Sequence, residues 1–149
     1  MAFGLLAAAV AAQSEVTFKD AKVEIAYKNY LQLKDALVAS KADASKEAAG
    51  KLKASLASLK EGKNAMAEAT KISSATSLNE IRKTFASLST EMKTLVKAGQ
   101  LSKGELYLEY CPMANNNTGA YWLSNEKEIK NPYFGDKMLK CGSVKETIQ

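Results

Sequence analysis

The chain has 149 residues, 21 basic and 16 acidic side chains, a net charge of +5 and no histidine. That length suits one domain with a real core and is short for two. The lysines alternate with acids along every helix candidate and Arg82 is the sole arginine, so the charge reads as a solvated surface and not as a nucleic-acid footprint. The missing histidine removes the commonest general base and the commonest metal ligand together.

Residues 1–12 are an apolar run ending in small residues, with Ala9-Val-Ala11 or Val10-Ala-Ala12 as a cleavage pattern. Although it lacks a basic start, the run reads as the remnant of a signal peptide and is too short to span a bilayer. The expectation is a periplasmic or secreted protein without a transmembrane segment. The competing reading is an apolar tail packed on the core.

Residues 13–104 read as helices. Thr17-Phe-Lys-Asp20 looks like an N-cap with an acidic first turn. Val23, Ala26, Tyr27, Tyr30, Leu33 and Leu37 then form one apolar stripe of about five turns. After a break at Ser40–Ala44, a second helix from Asp43 or Ser45 carries Ala48, Ala49, Leu52, Leu56 and Leu59, and stops near Gly62. A shorter helix holds Ala65, Met66, Ala69 and Ile72. Ser77-Leu-Asn-Glu80 matches a capping box. Leu78, Ile81, Phe85, Leu88, Met92 and Leu95 follow it in alternating steps of three and four, as bundle helices do. Lys97 and Gly99 mark the end of this helix. Met66 and Met92 read as core. Short connections predict a mainly α fold: an up-down antiparallel bundle of about four helices.

Residues 105–149 change style and are expected to pack on the bundle as part of the same domain. Glu105–Tyr110 alternates and predicts a strand, Asn115–Gly119 a loop, and Ala120–Leu123 a second strand, together a small β-hairpin in an otherwise irregular motif. Asn131-Pro132 and Gly135 predict turns, and Asp136–Lys140 one helical turn closed by Gly142. Both cysteines, both prolines and the only tryptophan of the chain lie here. The sulfurs form mirrored pairs, Cys111-Pro-Met113 and Met138-Leu-Lys-Cys141. Six of the eleven aromatic residues, Tyr107, Tyr110, Tyr121, Trp122, Tyr133 and Phe134, surround them and would shield a site.

Thiolate and thioether ligands suit Cu(I) and similar thiophilic ions. Cys111, Met113, Met138 and Cys141 are the candidate ligands for Cu(I) or Ag(I). A turn at Pro112 must bring the first pair together, and one helical turn would place Met138 and Cys141 on one face. Zinc is disfavoured because paired Cys-x-x-Cys knuckles are missing. The rival reading is a Cys111–Cys141 disulfide, with the methionines as gap fillers and the protein a non-catalytic structural or interaction domain. A redox-linked site could alternate between the two. No Cys–His, Ser–His or paired-carboxylate arrangement is visible, so the expectation is that the protein is not an enzyme; a thiol-redox centre is the sole enzymatic version.

The segments Tyr110-Cys-Pro-Met-Ala-Asn-Asn-Asn-Thr-Gly-Ala-Tyr-Trp-Leu-Ser124 and Ile129-Lys-Asn-Pro-Tyr-Phe-Gly-Asp-Lys-Met-Leu-Lys-Cys-Gly142 resemble a bacterial domain-of-unknown-function family. It occurs as exported proteins and as an appendage of adaptor subunits in copper/silver efflux pumps. The helical part, with Tyr30-Leu-Gln-Leu-Lys-Asp-Ala-Leu37, is similar more loosely. The resemblance implies a periplasmic helical bundle linked to heavy metals, with an efflux-pump adaptor or another periplasmic protein as partner. The motif also resembles short heavy-metal-binding domains in which Cys-Pro-Met precedes Cys-x-x-Cys-Gly-Met. Cys111, Pro112, Met113, Cys141 and Gly142 match that pattern; Met138 replaces a cysteine and Ser143 a methionine. Larger family members carry His and Met in the middle helices. Lys63-Asn-Ala-Met66 stands there instead, which leaves a second, helix-borne site unsupported.

Overall fold

The structure is a computed structural model and describes residues 14–149. The expected signal-peptide remnant lies outside the described residues. Four long helices make up about half of the described chain: α1 (Ala21–Val38), α2 (Ala42–Leu56), α3 (Lys63–Ser73) and α4 (Leu78–Gly99). Each packs on its successor, and α4 returns to α1. The fold is mainly α, as expected, with two small antiparallel sheets in addition. No helix among the described residues is long and apolar enough to cross a membrane.

The α1 stripe is the core. Val23, Ala26, Tyr27, Tyr30, Leu33 and Leu37 are all buried, and Tyr27, Tyr30 and Phe85 continue as a stack with centroid spacings of 6.1 and 5.2 Å. The α1 start differs from expectation. Thr17–Phe18 is a strand, β1, and Asp20 alone caps the helix, its carboxylate accepting the Lys22 N–H at 2.9 Å. β1 pairs antiparallel with β2 (Leu101–Lys103), Thr17 opposite Lys103. Glu24 closes the same corner by accepting the Phe18 N–H at 2.9 Å, which lowers its carboxyl pKa.

α2 starts at Ala42, slightly earlier than expected, and Leu59 falls beyond its end in the following turn. Met92 is fully buried and Met66 partly so, both against the core. Ser77 caps α4 by accepting the Glu80 N–H at 3.2 Å. The returning Glu80 carboxylate reaches one residue further back, to the Thr76 N–H at 2.7 Å. Gly99 is not the left-handed cap. It is the last helical residue, and a β-carbon there would lie 2.7 Å from Val23. Gln100, with φ of 54°, takes the left-handed turn instead.

The C-terminal part forms a three-stranded sheet in the order β4-β3-β5: β3 is Leu106–Cys111, β4 Ala120–Ser124 and β5 Ser143–Ile148. The predicted hairpin is present, with Tyr110 opposite Tyr121 and Cys111 opposite Ala120. β5 was not expected; it pairs antiparallel with β3, Tyr110 opposite Ser143. The hairpin is fastened to the helices through Tyr30. Its hydroxyl accepts the Leu123 N–H at 3.0 Å and shares a hydrogen with Ser89 at 2.7 Å.

Candidate metal centre

Cys111 ends the central strand β3 and is fully buried. Its cover is apolar: Ala114 and Ala120 are buried beside the turn, and Trp122 and Tyr133 meet edge to face at 6.0 Å. After Cys111 the chain turns through Pro112 and Met113 and enters a left-handed stretch. Asn115, Asn116 and Asn117 have φ of 54°, 56° and 63°. Asparagine tolerates this conformation better than other non-glycine residues, which is the physical sense of the triple-Asn run.

Cys141 arrives from the opposite direction. Asn131 organises its loop: the side-chain carbonyl accepts the Tyr133 N–H at 2.8 Å and the Phe134 N–H at 3.2 Å, while the side-chain amide donates to the Cys141 carbonyl at 2.8 Å. The Asn131 N–H donates to Leu139 O at 2.8 Å. The expected helical turn from Asp136 to Lys140 is shorter than predicted. A 3-10 turn spans Gly135–Lys137 only, and Met138 leaves it with φ of −150°. A further turn bond, Cys141 N–H to Met138 O at 3.1 Å, keeps the two residues neighbours. Gly142 then passes under Trp122. Its φ is 143°, and a β-carbon would lie 2.9 Å from the indole ring and from Tyr110 O. This position therefore demands glycine on two counts.

The β3–β5 register brings the two thiols together. Cys111 and Cys141 are both free, and they flank the Tyr110–Ser143 pair, Cys111 one residue beyond Tyr110 and Cys141 two residues before Ser143. The neighbouring Cys111 thiol, then burial, push the Cys141 pKa up; the Met113 backbone amide pulls it down. The methionine side chains lie next door. Met113 and Met138 line an open cleft of about 570 Å³ between this segment and the start of α4, with Tyr133, Phe134 and the asparagine turn. Met113 is 47% exposed. The structure thus brings the two cysteines close and sets both methionines in a neighbouring cleft that neither cysteine lines. Among the described residues no three of His, Cys, Asp and Glu gather into a metal-binding group. A site here has two thiols, and further ligands must come from thioethers or backbone.

Three contributors escaped sequence reasoning. Asn131 had only its Asn-Pro turn signal. Arg82, noted as the sole arginine, is a tie: Nε donates to Pro132 O at 2.8 Å, and Nη2 to Leu37 O at 2.9 Å and Ser40 Oγ at 3.0 Å. It joins α4, the end of α1 and the Cys141 loop. Glu109, two residues before Cys111, gave no signal. It is fully buried, and neither its carboxyl oxygens nor Trp122 Nε1 has a hydrogen-bond partner of good geometry among the described residues. Burial raises its pKa to about 8, while Lys34 and the neighbouring indole N–H act in the opposite direction.

A model of the family "Protein of unknown function (DUF3347)" matches residues 26–104. No curated protein and no solved structure matches the chain. The match covers more than half of the sequence and stops just before β3, so the sulfur-bearing segment lies beyond it. The chain belongs to this family of unknown function.

Proposed function

We propose that this DUF3347 family member binds a soft monovalent cation, Cu(I) or Ag(I), through Cys111 and Cys141, with Met113 and Met138 as weaker ligands. The observation that carries this reading is the convergence of the thiols. Two cysteines from opposite ends of the segment are brought close by the β3–β5 register, and both methionines of the segment line its open cleft. Paired thiolates with thioethers prefer Cu(I) to hard cations, and an aromatic shell excludes competing water.

The role is non-catalytic: buffering the ion or passing it to an efflux system outside the cytoplasm, with an efflux-pump adaptor or another periplasmic protein as partner. The apolar residues 1–12 and the resemblance of the Cys-Pro-Met motif support that setting. The test is an anaerobic Cu(I) titration of the reduced protein against a chromophoric chelator. Tight one-to-one binding is expected, abolished by Cys111→Ser or Cys141→Ser and weakened by either methionine substitution. Unchanged affinity in the double Cys→Ser variant would overturn the reading.

A second reading rests on the same contact. Neighbouring free thiols can be oxidised to a staple between β3 and the start of β5, leaving a structural or interaction domain. Protein isolated without free thiols, binding no Cu(I) even after reduction, would favour it.

A further inference from the structure

The four sulfurs are not equivalent. Cys111 is fully buried in the middle strand, with β4 on one side and β5 on the other. Cys141 and Met138 are partly exposed, and Met113 is 47% exposed. Accessibility therefore runs from the enclosed Cys111, through the partly exposed Cys141 and Met138, to the exposed Met113. Among the described residues Met113 is one of four large hydrophobic side chains left in solvent, and the cleft it lines with Met138 is open to solvent.

We propose that Met113 and Met138 are the gateway of the site: a soft cation is first taken up by these thioethers in the open cleft, passes inward to the Cys111/Cys141 pair, and leaves by the same route. This rests on the metal-binding reading and adds a division of labour to it. Cu(I) arrives bound to some other soft ligand, which must be displaced. An accessible neutral thioether can join the ion before that ligand departs, whereas Cys111 cannot be approached directly. The thiolates then supply the affinity, and the methionines set the rate.

The experiment compares equilibrium and kinetics on the same reduced, full-length protein. Cu(I) transfer from a chromophoric chelator complex is followed by anaerobic stopped flow, and the reverse transfer by adding excess free chelator. Wild type, Met113→Leu, Met113→Leu/Met138→Leu and Cys141→Ser are measured. Folding is checked by circular dichroism, and Met113→Leu, at an exposed position, keeps the test valid if the double variant unfolds. Loading and unloading of the methionine variants are expected to slow together, by about tenfold or more, while binding weakens only about threefold, the loss of a weaker ligand. Affinity loss of about a hundredfold with an unchanged loading rate would overturn the gateway and make the methionines inner ligands. No change in rate or affinity would also overturn it while leaving the cysteine site standing, provided Cys141→Ser fails to bind. No binding by wild type would fell the metal reading itself, and the gateway with it.

Discussion

The side-chain amide of Asn131 holds the main-chain carbonyl of Cys141 at 2.8 Å. Ten residues of loop are closed by one buried side chain, which also nucleates the turn at Tyr133 and Phe134. Asn131→Ala removes all three bonds. A stability loss of about 2–4 kcal/mol in urea unfolding is expected, together with weaker Cu(I) binding. Asn131→Asp keeps the acceptor and loses the donor, so it should fall between. Equal stability of all three proteins would mean that the loop is held elsewhere.

The nearness of the two free thiols predicts facile oxidation. With excess small-molecule disulfide, both thiol protons and two electrons leave, one Cys111–Cys141 bond forms, and one oxidant disulfide becomes two thiols. The product closes a loop of about 30 residues and should be stabilised by about 3–4 kcal/mol in the chain-entropy model. Thiol titration and the loss of two hydrogens in the mass spectrum measure the bond; the oxidised form should no longer take up Cu(I). Persistent free thiols under these conditions would contradict the geometry.

Glu109 predicts a pH dependence of stability. Its carboxyl pKa rises from 4.5 to about 8 on folding, so the folded state binds the proton more tightly than the unfolded chain. The corresponding stability is complete below the unfolded value and is lost as pH rises through the folded value. The slope approaches about 1.4 kcal/mol per pH unit within that window. The Lys34 charge, which favours the ionised carboxylate, moderates the loss. Glu109→Gln should flatten the profile and be the more stable protein above pH 8. A wild-type profile that is flat from pH 5 to pH 8 would refute the assignment.

Arg82 ties three elements through one planar group, with acceptors at 2.8, 2.9 and 3.0 Å. Arg82→Ala should cost about 2–3 kcal/mol. Arg82→Lys should recover little of it, because an ammonium cannot serve three acceptors with a guanidinium's fixed fork. Thermal unfolding of both variants tests this; full rescue by lysine would reduce Arg82 to a simple charge.

Legibility in the sequence follows the range of the forces involved. The α4 helix was readable because its cap and its apolar seam are encoded within a few residues. The β3–β4 hairpin was readable for the same reason. β1 was not: two residues become a strand only by meeting Leu101–Lys103 from the far end of α4. β5 is mostly exposed and buries only Ile148 of its six residues, so it shows no apolar alternation. The candidate ligands were legible as residue types, but the meeting of Cys111 and Cys141 depends on the β3–β5 register. Glu109 was invisible because its burial is imposed by distant neighbours, Lys34 and Trp122 among them, and not by the strand that carries it.

The Tyr30–Leu123 hydrogen bond joins residues 93 positions apart, and that distance has a kinetic meaning. Helices that pack on their chain neighbours can form early, while a sheet anchored across most of the chain must wait for a costly loop to close. Trp122, the sole tryptophan, sits in that sheet and reports on it directly. In stopped-flow refolding its fluorescence should lag the far-ultraviolet signal of the helices, and coincident traces would refute this order. A newly made chain would thus keep Cys111 and Cys141 apart until its final step, exposed to whatever oxidant or metal its surroundings hold.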